Sequence, residues 1–276
     1  MSAPVPDSGV SASAYLLSEV GGMQEAERLR SQAAMVLALE LPALLRALPP
    51  QGVFLDLGCG AGLLADAVAR ARPDATVVGV DADALAVDEG RRVFGSQLNL
   101  RFVCAGVEQG PLADVPLADV AVLRLVLMHL PQPVEALRAA AGWLRPGGAL
   151  HVLEGDDRGL RLEPEAPWLA SVLEIMEAVQ ILRQGSRRLG GNVAAMLREA
   201  GWTVTDEAVH APDPAMAAQA MPKVFLPVAE FYLAEAEKLD LLPAAEIGGL
   251  RRQMNAQAEL GFQKAHLPLY HIQARS

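Results

Sequence analysis

The chain has 276 residues, 52% of them hydrophobic, which is enough for one sizeable buried core and argues against long-range disorder. Its 33 acidic residues outnumber 23 Lys and Arg, giving a net charge of −10, a balance that repels a polyphosphate backbone and excludes nucleic acid as the expected partner. Arg145 and the pairs Arg187-Arg188 and Arg251-Arg252 are scattered and read as solvated surface charge. With only Cys59 and Cys104, no disulfide framework is expected. The first dozen residues lack the basic and apolar regions of a signal peptide, and no apolar run is long enough to span a bilayer. The expectation is a soluble cytoplasmic protein without membrane insertion.

The region from Met23 to Leu48 reads as helix, with Pro42 dividing it into two pieces. Strands and helices then alternate. Val53–Leu57, Thr76–Val80, Leu100–Ala105, Val120–Arg124 and Ala149–Leu153 are short apolar strands. Between them, Ala61–Ala71, Leu85–Phe94 and Pro133–Leu144 read as helices. Continuous apolar strands separated by helices predict a parallel sheet covered on both faces. Farther on, Pro167–Leu182 has a wide apolar helical face, Val193–Ala200 is a helix stopped by Gly201, and Trp202–Val204 begins a strand. Helical stretches near Met221–Leu239 and Pro243–Leu260 precede a last strand near Leu269–Ala274. These extra helices, with the N-terminal one, are expected either to cap one edge of the sheet or simply to widen the core.

The chemistry-bearing signal is Asp56-Leu57-Gly58-Cys59-Gly60-Ala61-Gly62 between a strand and a helix. Such glycines permit a tight turn, close ligand approach and close helix–strand packing. A dinucleotide fingerprint would need a small residue at position 63, where this chain has Leu63. Asp81 ends the next strand about 20 residues after the loop, the spacing at which an acid accepts hydrogen bonds from ribose hydroxyls.

Val53-Phe54-Leu55-Asp56-Leu57-Gly58-Cys59-Gly60-Ala61-Gly62, Val78-Gly79-Val80-Asp81 and Leu144-Arg145-Pro146-Gly147-Gly148-Ala149-Leu150 resemble class I S-adenosylmethionine-dependent methyltransferases. The stretch from Asp119 to Leu130 looks like that family's fourth-strand region. The resemblance is good over about residues 50–155 and looser elsewhere. It implies an α/β, Rossmann-like sheet of seven strands, mostly parallel with one antiparallel strand, carrying a helical cap. It also implies S-adenosylmethionine as cofactor, with Gly58 and Gly60 near its methionine and sugar, Asp81 on its ribose and Ala82 beside its adenine. Asp56 belongs to the same binding loop. After the third strand the family often has Gly-Asp, whose acid meets the adenine amino group. Here the chain reads Cys104-Ala105-Gly106-Val107-Glu108, so either the Val107 backbone recognises adenine alone or Glu108 reaches in.

Tyr15 together with Glu27-Arg28-Leu29-x-x-Gln32 resembles bacterial small-molecule methyltransferases with a leading helix over the cofactor. By that resemblance Gln32 contacts the methionine portion and Tyr15 closes the pocket; the plain alternative is a solvated helix face. The implied division is an N-terminal cap segment over residues 1–48, a methyltransferase domain over 49–276, and lid insertions near 162–188 and 219–262.

A sulfonium is already an activated methyl donor, so the protein mainly aligns the acceptor, and a base is needed only if the acceptor must lose a proton. His129, after the fourth strand, is the candidate for that role; its alternative is a helix cap. Arg124 is placed to pair with the cofactor carboxylate or with Asp56. Glu154, Asp156 and Asp157 leave the fifth strand together and read as a solvated acidic loop, the alternative being that they face an acceptor nitrogen or a metal. His151, His210, His266 and His271 have no metal-ligand spacing, and no metal is expected. Trp168, Phe225, Phe231 and Tyr232 read as core. The expected function is methylation of a small, partly apolar metabolite on N, O or C in natural-product biosynthesis, with homodimerisation open. The alternatives are a quinone-biosynthesis methyltransferase, a non-catalytic cofactor-binding protein, or a dehydrogenase.

Overall fold

The apolar runs become strands because the centre of a parallel sheet is buried on both faces. In the computed structural model, which describes residues 22–276, β1 (Val53–Leu57) lies at that centre with four of its five residues buried. It pairs in parallel with β2 (Thr76–Asp81) and with β4 (Ala118–Arg124). β3 (Leu100–Cys104) adds outside β2, and β5 (Leu144–Gly155) outside β4. β9 (Leu269–Arg275) then runs antiparallel between β5 and β7 (Thr203–His210). The order is β3-β2-β1-β4-β5-β9-β7, the expected seven strands with one antiparallel. Strand order reverses between β1 and β4, which opens a crevice at their carboxyl ends.

Alternate residues of each strand serve opposite faces. Phe54, Val77, Val120 and Val122 pack with α2 (Leu63–Ala71) and the second half of α1 (Gly22–Ala47). Leu55, Val78, Ala121 and Leu150 pack with α4 (Pro133–Ala140), α6 (Val193–Glu199) and the buried Trp143 and Trp202. α3 (Ala84–Phe94) is capped by Asp83, which accepts from Leu85 N–H at 2.9 Å. A third cluster is helical: α5 (Trp168–Leu182), α7 (Pro214–Lys238) and α8 (Ala244–Leu260) pack together and receive Met35 and Val36 from α1.

Three expectations are corrected. Pro42 does not divide α1, which runs through it. Pro42 and Ala38, whose carbonyl loses its partner, are both exposed, so water replaces the missing bond. α7 starts at Pro214 rather than near Met221, because Asp213 accepts from Ala215 and Met216 N–H and Pro214 occupies the first turn. A short antiparallel ladder of β6 (Arg161–Glu163) and β8 (Lys264–His266) was not anticipated; three residues are too few to show a period of two. Among the described residues no helix is long and apolar enough to cross a membrane.

Candidate functional site

A cavity of about 660 Å³ opens at the carboxyl ends of β1, β2 and β4. The glycine loop forms its floor. Gly58 and Cys59 donate to Val80 O at 2.7 and 3.0 Å, which ties the loop to β2. Gly58 has φ +79°, and a Cβ there would collide with Val126. Gly60 has φ +53° and open space where a Cβ would stand. Asp81 anchors the loop from the next strand: Oδ2 accepts from Gly60 N–H at 2.7 Å and Oδ1 from Asp83 N–H at 2.9 Å. Burial raises its pKa. A carboxylate offers about four acceptor sites, so two remain for hydroxyl donors from the cavity.

Ala82, Val107 and Glu108 continue the wall. The Val107 carbonyl accepts from Trp143 Nε1 at 3.0 Å and from Gly110 N–H at 3.3 Å, which fills both lone pairs. Recognition of a base at this turn therefore falls to the Val107 N–H or to Glu108, whose carboxylate folds against Gly106.

Asp56 does not line the cavity. It is buried beneath the loop, where desolvation raises its pKa to about 6 against the pull of Arg124, and one carboxylate oxygen has no hydrogen-bond partner. Arg124 does line the cavity, and its ion pair is made with Glu40 of α1 at 3.6 Å, not with Asp56. Burial pushes Glu40 up to about 7 despite Arg124. Gln32 is on the wall and accepts from Arg28 Nη1 at 2.9 Å. Arg28, also on the wall, is only 7% exposed, so this face of α1 turns to the cavity and not to solvent. Tyr15 lies outside the described residues.

His129 lines the far part of the cavity in a one-turn helix, Leu127–His129. Gln180 fixes its tautomer. The Gln180 amide orientation is set at both ends: its nitrogen donates to Met128 O at 2.7 Å and its oxygen accepts from Tyr232 OH. The same nitrogen lies 3.4 Å from His129 Nδ1, so Nδ1 accepts and the neutral ring carries its proton on Nε2. Burial, then the charges of Arg187, Arg28 and Arg183, lower its pKa to about 3. In this arrangement the His129 ring is neutral and of low basicity, which speaks for a hydrogen-bonding role over that of a general base.

The acidic group at the end of β5 is not a solvated loop. Glu154, Asp156 and Asp157 are all buried. Asp156 pairs with Arg158 at 2.5 Å and Asp157 with Arg187 at 2.6 Å. Glu154 accepts from Leu127 N–H at 2.7 Å and is raised by burial to about 8. Arg187, read from sequence as surface charge, lines the cavity and stands over the Tyr232 ring at 5.2 Å. Trp168 and Tyr232 are core, whereas Phe225 is half-buried on the cavity wall. His151 and His271 hydrogen-bond each other at 3.0 Å within the sheet. Among the described residues no group of three or more His, Cys, Asp or Glu gathers as a metal site.

Residues 55–152 match the family model described as a methyltransferase domain. Over this region the chain is similar to S-adenosylmethionine-dependent methyltransferase domains. The ubiquinone biosynthesis O-methyltransferase of Alkalilimnicola ehrlichii is 31% identical over 133 residues, 48% of this chain and 51% of that protein. That of Serratia proteamaculans is 35% identical over 95 residues, 34% of this chain and 39% of that one. The chain thus spans about half or less of the length of the curated relatives it matches. The phosphoethanolamine N-methyltransferase 2 of Haemonchus contortus was solved with phosphomonomethylethanolamine and S-adenosylhomocysteine. It covers 97% of this chain and 60% of its own at 15% identity and TM-score 0.56, which speaks for the fold alone.

The methyltransferase domain's residues fit this cofactor. Gly60 leaves room at the floor, Asp81 has acceptor capacity for two hydroxyls, and the volume suits a nucleoside-sized ligand beside a small acceptor. Of Arg28, Glu40, Glu154 and Arg187 in the cavity region, only Glu40 has no place in the sequence reading, its one signal being a lone acid among Leu37, Leu39 and Leu41; Glu154 and Arg187 read there as solvated, and Arg28 as part of a helix either over the cofactor or facing solvent.

Proposed function

We propose that the chain transfers the methyl group of S-adenosylmethionine to a small, partly apolar metabolite, in natural-product biosynthesis. One observation carries this reading. The cavity that begins on the glycine loop and Asp81 ends against an apolar face of α7, including Met221, Val224, Phe225 and Val228. A donor floor and an apolar acceptor wall thus share one enclosed space. The cofactor supplies an activated methyl carbon, which bonds to the acceptor N, O or C as the carbon–sulfur bond breaks and sulfur keeps the electron pair.

In this reading Asp81 holds the ribose hydroxyls, and Gly58 and Gly60 let the sugar and methionine approach the backbone. Ala82 lies beside the adenine, with the Val107 N–H and Glu108 at its polar edge. Gln32, beside Arg28, faces the methionine end, where Arg124 and the buried Asp56 set the charge. Tyr15 is proposed to close the entrance. The helices around 162–188 and 219–262, with the segment 1–48, act as the cap that excludes water. His129 orients the acceptor through its Nε2 proton. The ubiquinone biosynthesis relatives named above match 34% and 48% of this chain, so the acceptor is argued from this chain's own wall.

Calorimetry with S-adenosylmethionine and with NAD tests the reading. Saturable binding of the first and none of the second is expected. Absence of S-adenosylmethionine binding, or preference for the nicotinamide cofactor, overturns it.

A further inference from the structure

Glu40 is a buried acid whose carboxyl makes no hydrogen bond. It lies in the second half of α1, is 1% exposed, and neither of its carboxyl oxygens has a hydrogen-bond partner. Residues four apart share one face of a helix, so Gln32, Val36, Glu40 and Leu44 form one line. Gln32 and Val36 line the cavity, and Leu44 packs with β1 and α2. Glu40 thus stands one turn behind the cavity wall, between two buried apolar residues. A carboxylate buried without N–H or O–H donors persists only with a counter-charge close by or with a proton on it.

Arg124 is the counter-charge, and it is held loosely. Its Nη1 stands 3.6 Å from Glu40 Oε1, beyond hydrogen-bond length. The same side chain ends β4 and lines the cavity beside the glycine loop. It therefore serves two places, Glu40 behind the wall and the space that the methyl-transfer reading gives to the cofactor. A carboxylate on the cavity side can form the paired N–H···O bonds that Glu40 does not. The other charged group acting on Glu40 is Asp56 of β1, which, like burial, favours the protonated form. Of the helices packed on α1, α2 brings Asp66 and Arg70, paired with each other at 2.8 Å, and α7 brings Lys223, which is exposed. Burial already raises Glu40 to about 7, so a proton is available to it near neutral pH.

We infer, building on the methyl-transfer reading, that Glu40 and Arg124 form a proton-linked latch for the cofactor's amino-acid carboxylate. With that carboxylate on Arg124, the guanidinium is drawn away from Glu40, and Glu40 takes one proton from solvent. On release the proton leaves and the Glu40–Arg124 pair re-forms. Glu40 is a positioning residue: it does not line the cavity and acts on the cofactor through Arg124. By linkage, cofactor affinity falls as pH rises through the range in which Glu40 of the free protein ionises.

The test titrates the full chain calorimetrically with S-adenosylhomocysteine between pH 6 and pH 8. Buffers of different ionisation enthalpy at each pH count the linked protons. The control ligand is 5′-methylthioadenosine, which keeps the nucleoside and the sulfur and lacks the carboxylate. For wild type, uptake of about one proton per S-adenosylhomocysteine is expected at pH 8 and almost none at pH 6. Affinity should be about tenfold weaker at pH 8 than at pH 6. 5′-Methylthioadenosine should show neither effect. Glu40→Gln, neutral at every pH, should bind S-adenosylhomocysteine with no linked proton and with an affinity that does not change over this range. A role of Glu40 in folding alone would leave the proton count as it is in wild type. Should the variant fail to fold, the comparison of the two ligands on wild type decides. No proton uptake at pH 8, equal uptake with 5′-methylthioadenosine, or uptake that survives in Glu40→Gln overturns the inference. Failure to bind S-adenosylhomocysteine at any pH overturns the methyl-transfer reading itself.

Discussion

Glu154 accepts a hydrogen bond from the Leu127 N–H at 2.7 Å, so a fully buried carboxyl holds the single helical turn that carries His129. Burial raises its pKa from 4.5 to about 8, with the backbone N–H groups pulling the other way. Between those values the folded protein keeps a proton that the unfolded chain has released. Stability from this group is therefore lost as pH rises through that window, at up to about 1.4 kcal/mol per pH unit. Glu154→Gln keeps an acceptor and removes the titration. Its melting temperature relative to wild type should climb from pH 5 to pH 8; a gap that stays level or narrows would contradict the assignment. Glu154→Ala strips the buried N–H of its acceptor and should cost about 1–3 kcal/mol at pH 5, a cost that shrinks as pH rises because wild type itself loses stability there.

The two loop glycines should fail in different ways. A methyl group at Gly60 meets nothing, so Gly60→Ala should cost only the left-handed strain of about 1–2 kcal/mol. It should nevertheless weaken S-adenosylmethionine binding about tenfold or more, because the methyl group enters the space assigned to the cofactor. Gly58→Ala adds a collision with Val126 to similar strain, which should lower stability by about 2–5 kcal/mol in total. Thermal melts paired with cofactor calorimetry separate the cases. Equal stability losses, or full cofactor affinity in Gly60→Ala, would count against this division of labour.

What could be read from the chain follows from the range of the interactions involved. β1, β2 and β4 were legible because burial on both faces demands unbroken apolar runs, and the Gly58-to-Asp81 relationship because a strand–helix–strand unit fixes its spacing. The Glu40–Arg124 and Asp157–Arg187 pairs join residues far apart in sequence, so neither partner announces the other. Reading Glu154 and Asp157 as solvated failed for that reason: a carboxylate looks the same in sequence whether water, the Leu127 N–H or the Arg187 guanidinium satisfies it. Arg28 was misjudged as one option because a helix shows its cavity face only when the opposing surface is known. The start of α7 was missed because the Asp213 cap lies well before the apolar residues that revealed the helix.

For His129, the hydrogen bond from Gln180 predicts a donor in place of a base. His129→Ala should lower turnover by about tenfold to a hundredfold and leave S-adenosylmethionine affinity unchanged. His129→Gln retains an N–H donor but has no useful basicity. It should recover a substantial part of the lost turnover. No recovery, together with an acid limb in the turnover profile that disappears in the variant, would restore the base role. Because its pKa lies near 3, the donor role predicts no change in turnover attributable to this ring between pH 5 and pH 8.

The histidine pair in the sheet should impose the opposite pH dependence from Glu154. His151 Nδ1 and His271 Nε2 are 3.0 Å apart and buried, so one ring donates, the other accepts, and both are neutral. Burial lowers His151 to about 3, helped by His271 and Arg275, and lowers His271 to about 4, helped by His210 and opposed by Asp206. Below pH 6.5 the unfolded chain takes up protons that the folded sheet refuses. The stability present above that pH is therefore lost as pH falls toward 4, at up to about 1.4 kcal/mol per pH unit for each ring. The loss falls on β9, the antiparallel strand that joins β5 to β7. Urea unfolding from pH 7 to pH 4.5 should show His271→Gln, weaker than wild type at neutral pH, closing the gap as the solution is acidified. A gap that widens on acidification would mean that the folded sheet accommodates the imidazolium, and that this pair is not a source of acid instability.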